Sequence, residues 1–197
     1  PLQIKKKSVL PIVQGGMGVG ISAHRLAGSV AKIGAVGTIS SVDLRRHHPD
    51  LMAQTGKSRD KALIDAANLV ALAREIRAAR EIADGNGIIA VNVMRAVAEY
   101  AAYVRQACDS GADAVVVGAG LPLDLPELTA DYPSVALIPI LSDVRGIALL
   151  LKKWMRRNRL PDAIVIENPR YAAGHLGAAR ADDVNDPHFA FPAVLKG

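Results

Sequence analysis

Short, continuously apolar runs alternate along this chain with longer segments in which apolar and charged positions are mixed. The runs are Pro11–Gln14, Ala35–Ser40, Ile88–Val93, Ala114–Val117, Val135–Ile138 and Ala163–Ile166, and they read as six strands. Between them, helical patterns cover about Ser22–Ile33, with Ser22 as N-cap and Gly34 closing it, then Ala98–Ser110 and Val144–Asn158. A long amphipathic helix is expected where Leu63, Ala67, Val70, Arg74, Arg77 and Glu81 follow one another, stopping at Asp84-Gly85-Asn86-Gly87. The polar stretch Ser41–Asp60 is too long for an ordinary connection and reads as a functional, lid-like loop. Strands that are apolar throughout and separated by helices pair in parallel with both faces covered, so the fold class is α/β. An open doubly wound sheet and a closed (β/α)8 barrel both meet that description.

Composition narrows the picture. The 197 residues suit one domain over 1–197; 50% are hydrophobic, which excludes intrinsic disorder. An aromatic content of 4% argues against base-stacking platforms, so no nucleic-acid partner is expected despite the net charge of +5. The basic run Lys152, Lys153, Arg156, Arg157 and Arg159 reads as a solvated helix end. The single Cys108 excludes an internal disulfide and reads as a small buried hydrophobe. Lys5–Lys7 precede an apolar segment too short for an export signal, and no run of eighteen apolar residues exists. The expectation is a cytoplasmic protein with no membrane partner.

Candidate chemistry gathers where strands end, as α/β sites do. Gln14-Gly15-Gly16-Met17-Gly18-Val19-Gly20 leaves the first strand, and its glycines let backbone approach a planar or phosphate-bearing ligand. A tight turn without ligand is the bland alternative. Gly18-x-Gly20-x-x-Ala23 with Asp43 is also a formal dinucleotide fingerprint. Asn92 is a polar residue inside an apolar strand; Ser142 and Asp143 end the fifth strand, and Glu167 ends the sixth. His175, in Ala172-Ala173-Gly174-His175-Leu176-Gly177, sits on glycine-flanked backbone and suits a general base, with an ordinary imidazole pKa of ~6.5. His47-His48 with Asp50, and the acids Asp182, Asp183 and Asp186 with His188, read as solvated loops rather than metal sites.

Taken in order, Pro11–Met17, Val91-Asn92-Val93, Gly111–Val115 and the Gly-His-Leu-Gly run ending at Gly177 resemble the nitronate monooxygenase family, formerly the 2-nitropropane dioxygenases. That resemblance implies an FMN-dependent (β/α)8 barrel that oxidises nitronates or nitroalkanes with molecular oxygen. It implies flavin contacts from Gln14, Gly15, Gly16, Met17 and Asn92, and a catalytic base at His175. Ser142, Glu167 and Gly174 join the cofactor-binding candidates by position. Ala173 stands where the family motif usually has glycine, and strand five offers only the Ser142 hydroxyl. Six strands, not eight, are legible, so the barrel is expected to be incomplete, with strands seven and eight missing. A flavin-dependent NAD(P)H reductase of a quinone or enoyl thioester stays open as a second reading, a non-catalytic fragment as a third. A homo-oligomer is left open.

Overall fold

The computed structural model describes residues 1–172 and 177–197. Five strands form one parallel sheet in chain order: β3 (Val36–Ser40), β4 (Ile88–Met94), β5 (Ala114–Gly118), β6 (Ala136–Leu141) and β7 (Val165–Ile166). The order never reverses, which a doubly wound sheet requires at its switch point, so that alternative falls away. The result is an α/β fold whose sheet curls into a half-barrel. Ahead of it, Ile12–Gln14 adds two rungs to the edge of β3: Val36 N donates to Ile12 O (3.0 Å) and Gln14 N to Val36 O (2.9 Å). The first expected strand is therefore present only as this short bridge.

Both faces of the sheet are apolar because both are covered. Ile39, Ile89, Val91, Val93, Val115, Val117, Leu137 and Leu141 face the helices. These are α1 (His24–Lys32), α3 (Lys61–Ala83), α4 (Tyr100–Asp109), α5 (Leu125–Leu128) and α6 (Val144–Met155), while α2 (Pro49–Thr55) and α7 (Phe191–Lys196) lie outside the expected βα pattern. Asp60 caps α3 by accepting from Ala62 N (2.9 Å) and Leu63 N (3.3 Å). Gly37 lets α1 approach the sheet closely: a Cβ there would fall 1.8 Å from Ala27 O of α1.

The concave face holds Val36, Ile88, Ala90, Ala114, Val116, Ala136 and Ile138, and onto it the chain folds an N-terminal hairpin absent from the sequence reading. Its strands, β1 (Leu2–Ile4) and β2 (Lys7–Val9), are antiparallel and bury Ile4 and Val9 in this cluster. Two lysines fasten the hairpin to the N-terminal rim of the sheet. Lys7 Nζ donates to Asp113 Oδ1 (2.9 Å) and Gly87 O (3.0 Å); Lys5 Nζ donates to Pro133 O (3.0 Å) and lies 3.4 Å from Asp162 Oδ1. Each aspartate repeats one device. Its N–H donates to the preceding strand and its Oδ2 accepts from the same residue: Ile89 N for Asp113 (2.9 Å), Leu137 N for Asp162 (2.8 Å).

Segment 41–60 is not the expected lid-like loop. It forms a 3₁₀ turn over Leu44–His47 followed by α2, packed on α3 through buried Leu44, Leu51 and Arg45. Arg45 is held by Asp43 (3.1 Å) and Thr55 Oγ1 (3.1 Å), while its N–H meets Asn68 Oδ1 (3.2 Å). The polar sequence hid a helix that buries only Leu51 and Thr55. No helix among the described residues is long and apolar enough to cross a membrane.

Asp113 serves the strand ladder as well as Lys7, so its loss leaves a backbone donor unpaired. Asp113→Ala is expected to lower stability by about 1–3 kcal/mol, and Lys7→Ala by under about 1 kcal/mol. Urea unfolding of both variants checks the inequality.

Candidate functional site

The site begins where the chain leaves the sheet. After Gln14 N pairs with Val36 O, the next rung is made by the Gln14 side chain. Thr38 N donates to Gln14 Oε1 (2.9 Å), and Gln14 Nε2 donates to Thr38 O (3.1 Å) and Ser22 Oγ (2.9 Å). The amide thus copies a residue of backbone, and residues 15–18 are released from the ladder. Ser22 holds the far end of the excursion. Its Oγ accepts from Met17 N (2.9 Å) and donates to Gly15 O (3.1 Å), while its N–H donates to Met17 O (2.9 Å). This is a correction to Ser22 as a helix cap: α1 starts one residue later, with Ala23 as N-cap.

The released backbone lies over the polar end of the concave face. A Cβ on Gly16 would fall 2.5 Å from Asn92 Cβ, so only glycine lets the loop rest on that side chain. A Cβ on Gly15 would meet nothing within 4 Å, and Met17 is half-exposed. Glycine backbone at 15–16 therefore presents a flat, side-chain-free surface beside Asn92. Asn92 is in register with Ser40 on β3 and Val116 on β5. Farther along the loop, a Cβ on Gly18 would come within 3.2 Å of Ser40 Oγ.

Ser142 follows β6, and Asp143 beside it caps α6 by accepting from Gly146 N (2.6 Å). Glu167 follows β7, its N–H on Leu141 O (2.9 Å), and its Oε2 lies 3.4 Å from where a Cβ on Gly177 would sit. Gln14, Gly15, Gly16, Met17, Asn92, Ser142 and Glu167 thus share the C-terminal rim of one parallel sheet. The loop and Asn92 are in direct contact; Ser142 and Glu167 stand two and three strands beyond Asn92. His175 and Gly174 lie outside the described residues.

Three buried polar residues escaped the sequence reading. Thr38 and Ser40 are buried on the concave face, and Thr38 Oγ1 has no hydrogen-bond partner. Their signal was a polar residue at every second position of an otherwise apolar strand. Glu75 is fully buried in α3, with Oε2 2.7 Å from both His24 N and His24 Nδ1, and Oε1 3.1 Å from His48 Nε2. An acid among Ala71, Leu72, Ile76 and Ala79 was its signal.

The weaker candidates separate. His48 faces Glu75, Asp50 pairs with Arg74 (2.9 Å), and His47 packs against Gly20. No cluster of metal-ligating side chains occurs among the described residues. Asp43, the acid of the dinucleotide fingerprint, pairs with Arg45 and Arg46. Cys108 is buried in α4, and burial pushes its thiol up to about 12, with Asp109 adding to the rise.

Comparison with known proteins adds the following. The sequence profile of the nitronate monooxygenase family matches residues 2–195. No curated protein sequence matches significantly. Among solved structures, FabK from Thermotoga maritima superposes with a TM-score of 0.60 at 19% identity, over 85% of this chain and 43% of FabK. Its M276A mutant gives 0.60 at 20% identity, over 85% and 45%. Nitroalkane oxidase from Streptomyces ansochromogenes matches at 16% identity over 86% and 68%, with a TM-score of 0.35. The chain therefore shares a fold with FabK and spans less than half of its length.

Two measurements check this geometry. Gln14→Leu keeps the volume but strands the N–H and carbonyl of Thr38, and should cost about 1–3 kcal/mol in urea unfolding. Cys108 should stay unreactive toward a thiol reagent at pH 8 in the native protein and react fully once unfolded.

Proposed function

The chain belongs to the nitronate monooxygenase family, and on that footing we propose that it serves flavin-dependent oxidation of nitronates or nitroalkanes by molecular oxygen. The observation that carries the proposal is the cradle at the strand ends. Gly15 opens onto free space, Gly16 rests on Asn92 without room for a side chain, and the Thr38 hydroxyl is buried beneath without a partner. These features fit a planar ring system lying on glycine backbone with an amide at its edge. FMN is the proposed cofactor, held by Gln14 through the backbone it positions, by Gly15, Gly16 and Met17 along one face, and by Asn92. Ser142, Glu167 and Gly174 are proposed to border it on the other strands. When bound, the flavin supplies the two-electron redox chemistry that amino-acid side chains lack.

His175 is proposed as the base. A nitroalkane carries an acidic α-hydrogen; an imidazole neutral near pH 7 can accept that proton from carbon and leave the anionic nitronate. For a substrate already ionised, the same residue would hold the anion rather than form it.

Among the described residues the sheet has two edges without a neighbouring strand, at residues 12–14 and at β7. Leu10, Ile12, Val13, Met17, Val19 and Ile21 stand exposed along or beyond the first. This supports the reading that further strands complete a (β/α)8 barrel, since an open apolar edge invites pairing. The NAD(P)H-reductase reading keeps the same flavin cradle and is separated by the reductant.

Bleaching is tested anaerobically, and turnover is then followed in air. With FMN bound, a nitronate should bleach the flavin absorbance, and NADH should not. His175→Asn should retain the flavin and lower turnover of a neutral nitroalkane by about 10²–10⁴-fold, with far less effect on the preformed nitronate. Bleaching by NADH alone would favour the reductase, and unchanged nitroalkane turnover would remove His175 as base.

A further inference from the structure

The return of the glycine loop into α1 is held from behind by one buried carboxylate. Glu75 on α3 exposes 1% of its side chain, and an ionised acid is costly to bury unless it is well partnered. Helix α1 has no side-chain cap of its own. Glu75 Oε2 instead accepts from its first N–H, that of His24 (2.7 Å), and meets His24 Nδ1 at the same distance. Glu75 Oε1 stands 3.1 Å from His48 Nε2, a buried nitrogen with no hydrogen bond elsewhere. Beside His48, the His47 ring sits on the loop itself, with Nε2 1.5 Å from where a Cβ on Gly20 would fall. Two residues ahead of His24, Ser22 O accepts from Ser40 N (2.9 Å), while Ser22 Oγ clasps Met17 N and Gly15 O. One carboxylate thus grips both supports of the loop, the start of α1 and the His47-His48 turn. The neighbouring charges are engaged elsewhere: Arg45 and Arg46 with Asp43, Arg74 with Asp50, while Arg25 of α1 is exposed.

We propose that Glu75 is a positioning residue for the flavin cradle, holding residues 15–20 in the shape that receives the cofactor. This inference rests on the flavin-oxidation reading above. Stability alone does not ask for an acid here, since a well-packed apolar side chain commonly replaces a buried ionic group without loss. What the carboxylate adds is acceptance on both sides. It offers only acceptors, so His24 Nδ1 and His48 Nε2 both carry hydrogen, and each contact survives when the imidazole takes up a second proton. An amide at position 75 has one acceptor and one donor. The His24 N–H would claim its oxygen, which turns its NH2 toward His48 Nε2. That arrangement suits a neutral His48 with a free lone pair and opposes a protonated one. The grip on the loop then weakens as pH falls, because cradle and proton compete. The rival account makes Glu75 a packing element of α3, whose loss lowers stability without singling out the loop.

The experiment measures FMN affinity by quenching of flavin fluorescence at pH 8 and pH 5.5, on either side of ordinary imidazole titration. Each variant is compared with wild type at the same pH, which cancels titration of the cofactor itself. Glu75→Leu should weaken binding about tenfold or more at both pH values. Asp113→Ala, a destabilising change at the opposite rim, should stay within about twofold of wild type. Glu75→Gln should stay within about threefold of wild type at pH 8 and fall about tenfold or more below it at pH 5.5. Glu75→Gln following wild type at both pH values, or Asp113→Ala weakening binding as much as Glu75→Leu, overturns the proposal. Where Glu75→Leu does not fold, the pH profile of Glu75→Gln decides. If wild type binds no FMN, the flavin reading fails and amide NMR of the flavin-free protein judges Glu75 alone. Resonances of residues 15–20 in Glu75→Gln should then match wild type at pH 8 and depart from it at pH 5.5; a match at both overturns the positioning role.

Discussion

A parallel sheet can release a strand only if the backbone groups left behind are satisfied, and here one side chain does that. The Gln14 amide supplies both an acceptor and a donor to Thr38, completing a rung the main chain has abandoned. Everything at the strand ends follows from that substitution. The chain is free to cross the concave face at Gly15–Gly18, to rest on Asn92, and to return through Ser22 into α1. An apolar residue at position 14 would leave Thr38 unpaired and pull the loop back to the ladder or out into solvent.

The opposite end of the sheet is closed by different means. The hairpin of residues 2–9 buries Ile4 and Val9 on the concave face, and Lys5 and Lys7 bind the aspartates that precede β7 and β5. Since the hairpin fills the concave face from its N-terminal side, polar residues on that face are displaced upward, to Thr38, Ser40 and Asn92. The two ends thus divide the labour: ion pairs and apolar contact below, glycine backbone and amides above. The packed insertion of residues 44–55 supports the upper end from outside, with His47 against Gly20 and His48 beside Glu75, which also anchors the start of α1.

Much of this was legible in the sequence, for a physical reason. Strands buried on both faces are apolar at most positions, so β3 through β6 announce themselves, and α3 shows its length and its glycine stop, though not its Asp60 cap. The hairpin did not, because three-residue strands containing lysine carry no period to detect, and its partners lie 106 residues away in the case of Lys7 and Asp113. Segment 41–60 read as a loop because its helix buries only a few side chains. At the site, Gln14, Gly16 and Asn92 stood out by residue type and position. What composition could not convey is that Gln14 spends its amide on the protein itself. Nor could it convey that Arg95 and Asp124, 29 positions apart, meet over Tyr100.

The central claim is that residues 14–17 and Asn92 form one surface for a flavin ring. Amide NMR spectra of the labelled protein, recorded as FMN is added, test it most directly. Saturable shifts should concentrate at Gly15, Gly16, Met17 and the Asn92 side-chain amide, with the hairpin of residues 2–9 unmoved. Shifts that avoid these residues, or none at saturating FMN, would contradict the account.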